Sequence, residues 1–325
     1  MPFLPRLLLL VFFAAQPLGA VAADFLPGVT RIVFLGDSIT HAGAYVDAFA
    51  KFLFLRFPDR PFEVINVGLP SETVSGLSED GHADGKFPRP DLHERLDRVL
   101  AKTKPDLIFA CYGMNDGIYL PLDEARFAKF REGIERLAAK ATAAYAQLIL
   151  LTPPAFHPLA ARTPSGAEEE TTLGGYNLVL DRYASWLLEQ RARGWTVIDI
   201  HGPMNAFIDD QRKTEPDFVF AKDGVHPNAA GHAVMAEALI GGLAPAELDW
   251  WRKEQAREFF QTTSAKSFSD AIRQRGRILT DAWLADIGHT RPGMAKGLPL
   301  AEAQAKATLI EEEIRARSRP IVPQP

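Results

Sequence analysis

Short apolar runs alternate with longer amphipathic stretches along most of the chain, and this alternation constrains the fold more than any other feature. The runs are hydrophobic on both faces, as parallel strands are when they lie between two layers of helices. They occupy residues 31–35, 62–67, 106–112, 147–152 and 196–200. The pattern predicts repeated βαβ units and a parallel sheet covered by helices on both faces.

The stretches between these runs carry the helical period. Apolar residues recur three and four positions apart at Phe127, Phe130, Ile134 and Leu137, which places them on one buried helix face. The predicted helices cover residues 45–57, 91–102, 122–141 and 173–193, and a further helix follows Asn228. Two connections, 70–90 and 153–172, are long enough to indicate functional loops or disorder.

The character of the chain changes after Leu243, because no strand candidate follows it. Three helical patterns occupy residues 245–262, 269–287 and 300–317, and the second has an apolar stripe from Phe268 to Ile287. We therefore expect a main domain over residues 24–243 and a helical appendage over 244–317 that packs on it. The proline-containing residues 318–325 are expected to form a loose tail.

The N-terminus has the layout of a secretory signal peptide over residues 1–22. One positive charge precedes the unbroken apolar stretch 7–15, and small residues favour cleavage after Ala22 or Ala23. The alternative is a transmembrane anchor, but Gln16 interrupts the stretch well short of the ~20 residues that a span needs. The sequence predicts a secreted or periplasmic protein with no membrane span in the mature chain.

Charge and cysteine content exclude several classes of protein. Lysine and arginine total 36 against 41 acidic residues, and the net charge of −5 without a basic run argues against a nucleic-acid partner. The one cysteine, Cys111, lies in an apolar run and is interpreted as a buried structural thiol. His82 and Asp84 have no third ligand at metal-binding spacing, so no metal is expected. The oligomeric state stays open.

Two short motifs follow the first two predicted strands. Ser38, in Gly-Asp-Ser-Ile-Thr, stands at the carboxyl end of the first strand, the edge where doubly wound folds place their active sites. Gly68, at the end of the second strand, lets a backbone N–H approach a ligand closely. Taken alone, each motif favours an ordinary turn, with Asp37 or Ser38 as a helix cap in the first case.

Two further motifs lie at later boundaries. Asn115 follows the third predicted strand, where its amide can donate a hydrogen bond into the same crevice, although Asn-Asp pairs also favour turns. Asp223 and His226 are three residues apart just before a predicted helix, so that the carboxylate can reach and orient the imidazole. By itself an Asp-x-x-His pair is a weak signal.

Together these motifs resemble the SGNH hydrolases, the GDSL-type esterases and lipases, over about residues 30–243. Ser38, Gly68, Asn115 and the Asp223–His226 pair occur in the family's order, although isoleucine follows Ser38 where the family name records leucine. The resemblance implies a three-layer α/β/α doubly wound sheet of the flavodoxin-like kind.

The resemblance also implies a role for each residue. Ser38 is expected to be the nucleophile, with His226 as its base and Asp223 as the residue that orients His226. The backbone N–H groups of Ser38 and Gly68 and the side chain of Asn115 are expected to bind the oxyanion. Neither a metal nor an organic cofactor is required.

The expected function is an exported serine carboxyl-ester hydrolase that acts on small acyl esters, specifically O-acetyl groups on carbohydrate. A substrate of this kind is a small molecule or a polysaccharide ester. Two alternatives stay open: a GDSL-type lipase or thioesterase for longer acyl chains, and a non-catalytic carbohydrate-binding protein that has kept the fold.

Overall fold

Five apolar runs pair into one parallel sheet, as their hydrophobicity on both faces predicts. The computed structural model describes residues 25–157, 175–255 and 263–318. The strands are β1 Arg31–Gly36, β2 Glu63–Asn66, β3 Leu107–Cys111, β4 Gln147–Leu151 and β5 Thr196–Ile198. They lie in the order β2-β1-β3-β4-β5, and every neighbouring pair is parallel. This order belongs to the doubly wound, flavodoxin-like sheets, which confirms the predicted fold class.

Seven helices accompany the strands in the described part of the main body. They are α1 Ser38–Ala42, α2 Ala44–Arg56, α3 Leu92–Thr103, α4 Glu124–Ala143, α5 Tyr176–Glu189, α6 His201–Gln211 and α7 Ala229–Leu243. Helix α2 packs on α7, and α3 packs on α4.

Two of these helices, α1 and α6, were not predicted. Helix α1 has only five residues, too few for an apolar period to show. Helix α6 carries Gly202 and Pro203 in its first turn, and both residue types indicate a loop when read from sequence. Proline is nonetheless tolerated there, because the first helical N–H groups have no partner within the helix.

Polar side chains fix where several helices begin. The carboxylates of Asp37, Asp91 and Asp123 accept hydrogen bonds from backbone N–H groups at the starts of α1, α3 and α4. Asn228 does the same for α7, where the sequence predicted a helix start. These caps are local, which is why the starts are readable from sequence.

The C-terminal region is helical, as predicted. It comprises α8 Pro245–Gln255, α9 Thr263–Ile287 and α10 Leu300–Ser318. Helix α9 packs along the edge strand β2 and against α2, and α10 packs on α9. The side chains of Ile272, Leu279 and Trp283 are buried in this contact. The appendage therefore covers a sheet edge that would otherwise offer unpaired backbone groups.

Several predictions fall at or beyond the described ranges. Ser318 ends α10 and is fully buried, so the predicted tail began one residue too early. Residues 319–325, the predicted signal peptide at 1–22, and most of the 153–172 connection lie outside the described residues. Among the helices that are described, none combines the length and the hydropathy needed to cross a bilayer.

Candidate active site

The turn from β1 into α1 places Ser38 at the carboxyl edge of the sheet. The carboxylate of Asp37 caps α1 by accepting a hydrogen bond from the Ile39 N–H at 2.9 Å. The residue before Asp37 is Gly36, and no side chain fits at this position. An added Cβ would lie 2.1 Å from Thr40 Oγ1 and 2.8 Å from the Cys111 carbonyl oxygen. The serine is thus the first residue of α1, delivered by a turn that the local sequence encodes.

Asp223 and His226 reach Ser38 from the loop before α7. Asp223 Oδ1 accepts hydrogen bonds from the Val225 and His226 N–H groups, both at 2.9 Å. Its Oδ2 lies 2.7 Å from His226 Nδ1, and His226 Nε2 lies 2.8 Å from Ser38 Oγ. A carboxylate can only accept, so Nδ1 carries the imidazole proton and Nε2 accepts from the Ser38 hydroxyl. This continuous relay can move the hydroxyl proton to the imidazole.

The relay faces solvent. The side chains of His226 and Asp223 are 53% and 56% exposed. Desolvation alone would raise the pKa of Asp223, but hydrogen bonds from the His226 side chain and from two backbone N–H groups outweigh it and hold the pKa below its ordinary value. Asp223 therefore stays ionised beside the imidazole at neutral pH.

Asn115 is held by hydrogen bonds to two separate loop segments. Its side chain is 3% exposed. The amide Nδ2 donates to the Glu72 carbonyl oxygen at 3.1 Å, and Oδ1 accepts from the Tyr119 hydroxyl at 3.1 Å. Glu72 accepts only one of the two Nδ2 hydrogens, and the other has no partner among the described residues.

The structure corrects the expectation for Gly68. Its N–H donates to Asn66 Oδ1 at 2.9 Å, so it is already used within the protein. The Asn66 amide in turn donates to the Thr40 carbonyl oxygen at 2.6 Å, which ties the end of β2 to α1. An added Cβ at Gly68 would lie 2.5 Å from the His41 backbone nitrogen. Glycine is therefore needed here for the close approach of the two backbones, and its N–H is not a free oxyanion donor.

A tight turn three residues further on presents a different backbone donor. The Glu72 N–H donates to the Leu69 carbonyl oxygen at 3.1 Å, with Pro70 and Ser71 between them. Ser71 has φ +70°, as the third residue of a type II turn requires. Its N–H has no partner within the described part of the chain, and the sequence analysis missed it because glycine is the residue usually sought at such a position.

A buried ion pair anchors this turn. Glu72 accepts a bidentate pair of hydrogen bonds from Arg95 at 2.6 and 2.7 Å and a third from the Tyr112 hydroxyl at 2.7 Å. Arg95 and Glu72 are 1% and 0% exposed, and Arg95 also donates to the Val67 carbonyl oxygen. Removing either partner would leave a buried charge without its counter-ion, so this network stabilises the turn.

Two more carboxyl groups are buried next to site residues, Asp37 beside Ser38 and Asp116 beside Asn115. Burial raises the pKa of Asp37 to about 7, although the hydrogen bond from Ile39 acts in the opposite direction. Burial likewise raises the pKa of Asp116 to about 6, although its carboxylate accepts hydrogen bonds from the Gly113 and Ser75 N–H groups. These two buried carboxyl groups therefore carry less negative charge near neutral pH than two ordinary aspartates would.

Three other residues with potentially reactive side chains, His201, Cys111 and His82, have structural surroundings. His201 contacts the Pro153 carbonyl oxygen and Asp181, and Cys111 is buried in the core. His82 pairs with Glu79 at 3.2 Å. Across residues 25–157, 175–255 and 263–318, no group of three side chains has the geometry of a metal site.

Comparison with known proteins gives a family match. The model of the GDSL-like lipase/acylhydrolase family matches residues 34–234, more than half of the chain. No curated protein matches at a significant level.

Solved structures share the fold at low sequence identity. A gut microbial diltiazem-metabolizing enzyme is 24% identical with a TM-score of 0.51, over 66% of this chain and 47% of that one. The match thus spans about half of that enzyme. An acetylxylan esterase from Geobacillus stearothermophilus is 20% identical with a TM-score of 0.49, over 66% of this chain and 94% of that one.

Proposed function

We propose that this chain, which belongs to the GDSL-like lipase/acylhydrolase family, is a serine hydrolase that cleaves small acyl esters at Ser38, specifically O-acetyl groups on carbohydrate. The observation that carries this proposal is the unbroken relay from Ser38 Oγ through His226 to Asp223, with contacts of 2.8 and 2.7 Å. Its direction matches the proton transfer that ester cleavage needs.

In the proposed mechanism, Ser38 Oγ attacks the ester carbonyl carbon while His226 Nε2 takes the hydroxyl proton. Asp223 stabilises the imidazolium that forms. His226 then gives the proton to the leaving alcohol, and an acyl group stays on Ser38. Water activated by the same imidazole attacks this acyl-enzyme, releases the acid and restores the serine.

Three donors are proposed for the oxyanion: the N–H of Ser38, the free Nδ2 hydrogen of Asn115, and the N–H of Ser71. Ser71 takes the place expected for Gly68, because the Gly68 N–H is bonded to Asn66. The Ser71 turn lies against the Asn115 amide, since the neighbouring Glu72 carbonyl accepts from it. Such preorganised donors commonly supply the largest share of acyl-transfer catalysis.

The surroundings of Asn115 favour a polar substrate that carries hydroxyl groups. Tyr119 lies beside Asn115, and the Arg89 guanidinium sits 5.4 Å from the centre of the Tyr119 ring. Arg89 is paired with Glu79 through two contacts of 2.6 Å. We infer that an aromatic ring next to the proposed oxyanion donor suits a sugar ring better than a long alkyl chain. The predicted signal peptide at 1–22 extends the proposal to substrates outside the cytoplasm.

Chain-length preference tests the substrate class. The purified protein is assayed on nitrophenyl acetate, nitrophenyl octanoate and an acetylated xylan, with Ser38→Ala as the matched control. We expect hydrolysis of the acetate and release of acetate from the polysaccharide, both lost in the control. Faster turnover of the octanoate would favour the lipase or thioesterase alternative, and equal activity of Ser38→Ala would refute the proposed nucleophile.

A further inference from the structure

The side chain of Asn115 is oriented by a tyrosine four residues later. The Tyr119 hydroxyl lies 3.1 Å from Asn115 Oδ1, while Asn115 Nδ2 lies 3.1 Å from the Glu72 carbonyl oxygen. The carbonyl can only accept, so the amide nitrogen must face Glu72 and the amide oxygen must face Tyr119. Tyr119 therefore donates, and together the two contacts fix the direction of the remaining Nδ2 hydrogen.

We propose that Tyr119 is a positioning residue that holds and polarises the Asn115 amide as an oxyanion donor. This inference rests on the proposed function, in which Asn115 contacts the developing charge. Tyr119 acts through Asn115 and takes no part in the proton transfers of the relay.

The backbone is shaped to bring Tyr119 back over Asn115. Ile118 and Tyr119 have φ values of +48° and +55°, a left-handed conformation that is rare for residues other than glycine and especially for β-branched ones. The Ile118 N–H donates to the Asn115 carbonyl oxygen at 3.0 Å, which closes the turn. Backbone held in an unfavourable region beside a candidate active site indicates a functional constraint.

Two neighbouring side chains hold the Tyr119 ring. It stacks on Tyr176 with ring centres 4.9 Å apart, and Tyr176 is itself fixed by a 2.8 Å hydrogen bond to the Met114 carbonyl oxygen. The Arg89 guanidinium lies 5.4 Å from the Tyr119 ring centre. A ring confined in this way keeps its hydroxyl on Asn115 without a large loss of entropy at each turnover.

The protonation state suits a donor. Burial raises the pKa of Tyr119 well above its ordinary value, although the nearby Arg89 acts in the opposite direction. The phenol therefore keeps its proton throughout the range in which the relay would work. Donation to Oδ1 withdraws electron density from the amide and makes Nδ2–H a stronger donor, as hydrogen bonds in series do.

The first test is Tyr119→Phe, which removes the hydroxyl and keeps the ring. We expect kcat to fall about 3- to 10-fold, the range for one lost hydrogen bond. KM should stay within about twofold, because the contact matters most in the transition state. The control is Tyr183→Phe, a buried stacked tyrosine whose hydroxyl has no hydrogen-bond partner in the described chain. A loss in the control equal to that of Tyr119→Phe would refute the inference.

The second test combines Tyr119→Phe with Asn115→Ala. If Tyr119 acts only through Asn115, adding Tyr119→Phe to Asn115→Ala should leave kcat unchanged. A full additional loss in the double variant would refute the inference and assign Tyr119 to the substrate or to general packing. The parent and Ser38→Ala are assayed in parallel. If the proposed function is wrong, the parent and Ser38→Ala will be equally inactive, which distinguishes that failure from a failure of the inference about Tyr119.

Discussion

Replacing Asn115 by aspartate separates a catalytic role from a structural one. Asn and Asp have the same shape and serve equally well in a turn, so a purely structural Asn115 should tolerate the change. As an oxyanion donor it should not, because the two Nδ2 hydrogens have separate uses. One goes to the Glu72 carbonyl oxygen at 3.1 Å, and only the other is left for a substrate.

The magnitude follows from counting hydrogens. An ionised carboxylate has none to donate, and it would also repel both the Glu72 carbonyl and the oxyanion. A protonated carboxyl group has one hydrogen to donate, and it would donate it to the Glu72 carbonyl oxygen. In either state the oxyanion loses a donor, so Asn115→Asp should lower kcat by about 10²–10³, or roughly 2.7–4 kcal/mol. Asn115→Ala should lose a similar amount, and KM should move much less than kcat.

The assay is steady-state hydrolysis of nitrophenyl acetate by the parent and both variants, with circular dichroism to confirm that each is folded. A folded Asn115→Asp protein that keeps more than about a tenth of the parental kcat would refute the reasoning. It would remove Asn115 from the oxyanion site and leave it a turn residue.

Three further predictions concern the turn, a buried acid and the C-terminal helices. Ser71→Gly should keep kcat within about threefold, because the proposed donor is the backbone N–H and φ +70° suits glycine; a tenfold loss in steady-state assays would implicate the side chain. Burial raises the folded-state pKa of Asp47 to about 7 from an ordinary 3.8, so the native state binds the extra proton and its stability falls as pH rises from about 4 to 7. Asp47→Asn should therefore raise the free energy of unfolding by up to about 4 kcal/mol at pH 8 and by much less at pH 4. Denaturant unfolding of the parent and the variant at the two pH values tests this, and equal gains would contradict it. Deleting all residues after Leu243 should lower solubility and Tm, because α9 covers β2; a truncated protein as soluble and heat-resistant as the parent would show that the body does not need this cover.

The fold and the relay were accessible from sequence because their signals are local. Each strand is an apolar run of its own, and Ser38 and Asn115 each directly follow a strand. Parallel strands bring their carboxyl ends to one edge, so motifs far apart in the chain meet there. The Asp223–His226 pair is likewise local, because the two residues are three positions apart in one loop.

The rest of the site depends on contacts between distant segments. Gly68 has the right residue type and position for an oxyanion donor, but its N–H is taken by Asn66, whose amide is fixed by a carbonyl 26 residues away. Ser71 carries no sequence signal because serine seldom adopts a left-handed conformation. Tyr119 acts on Asn115 through two successive left-handed residues, which no periodicity predicts.

Covalent labelling of Ser38 tests the central claim most directly. A fluorophosphonate probe reacts with a serine that an adjacent base has activated, and the phosphonyl group stays on Oγ as fluoride leaves. Intact mass followed by peptide mapping should give one adduct, on the peptide that contains Ser38, and His226→Ala should abolish it. An active protein that takes up no probe, or takes it up on another residue, would contradict the assignment of Ser38 as the nucleophile.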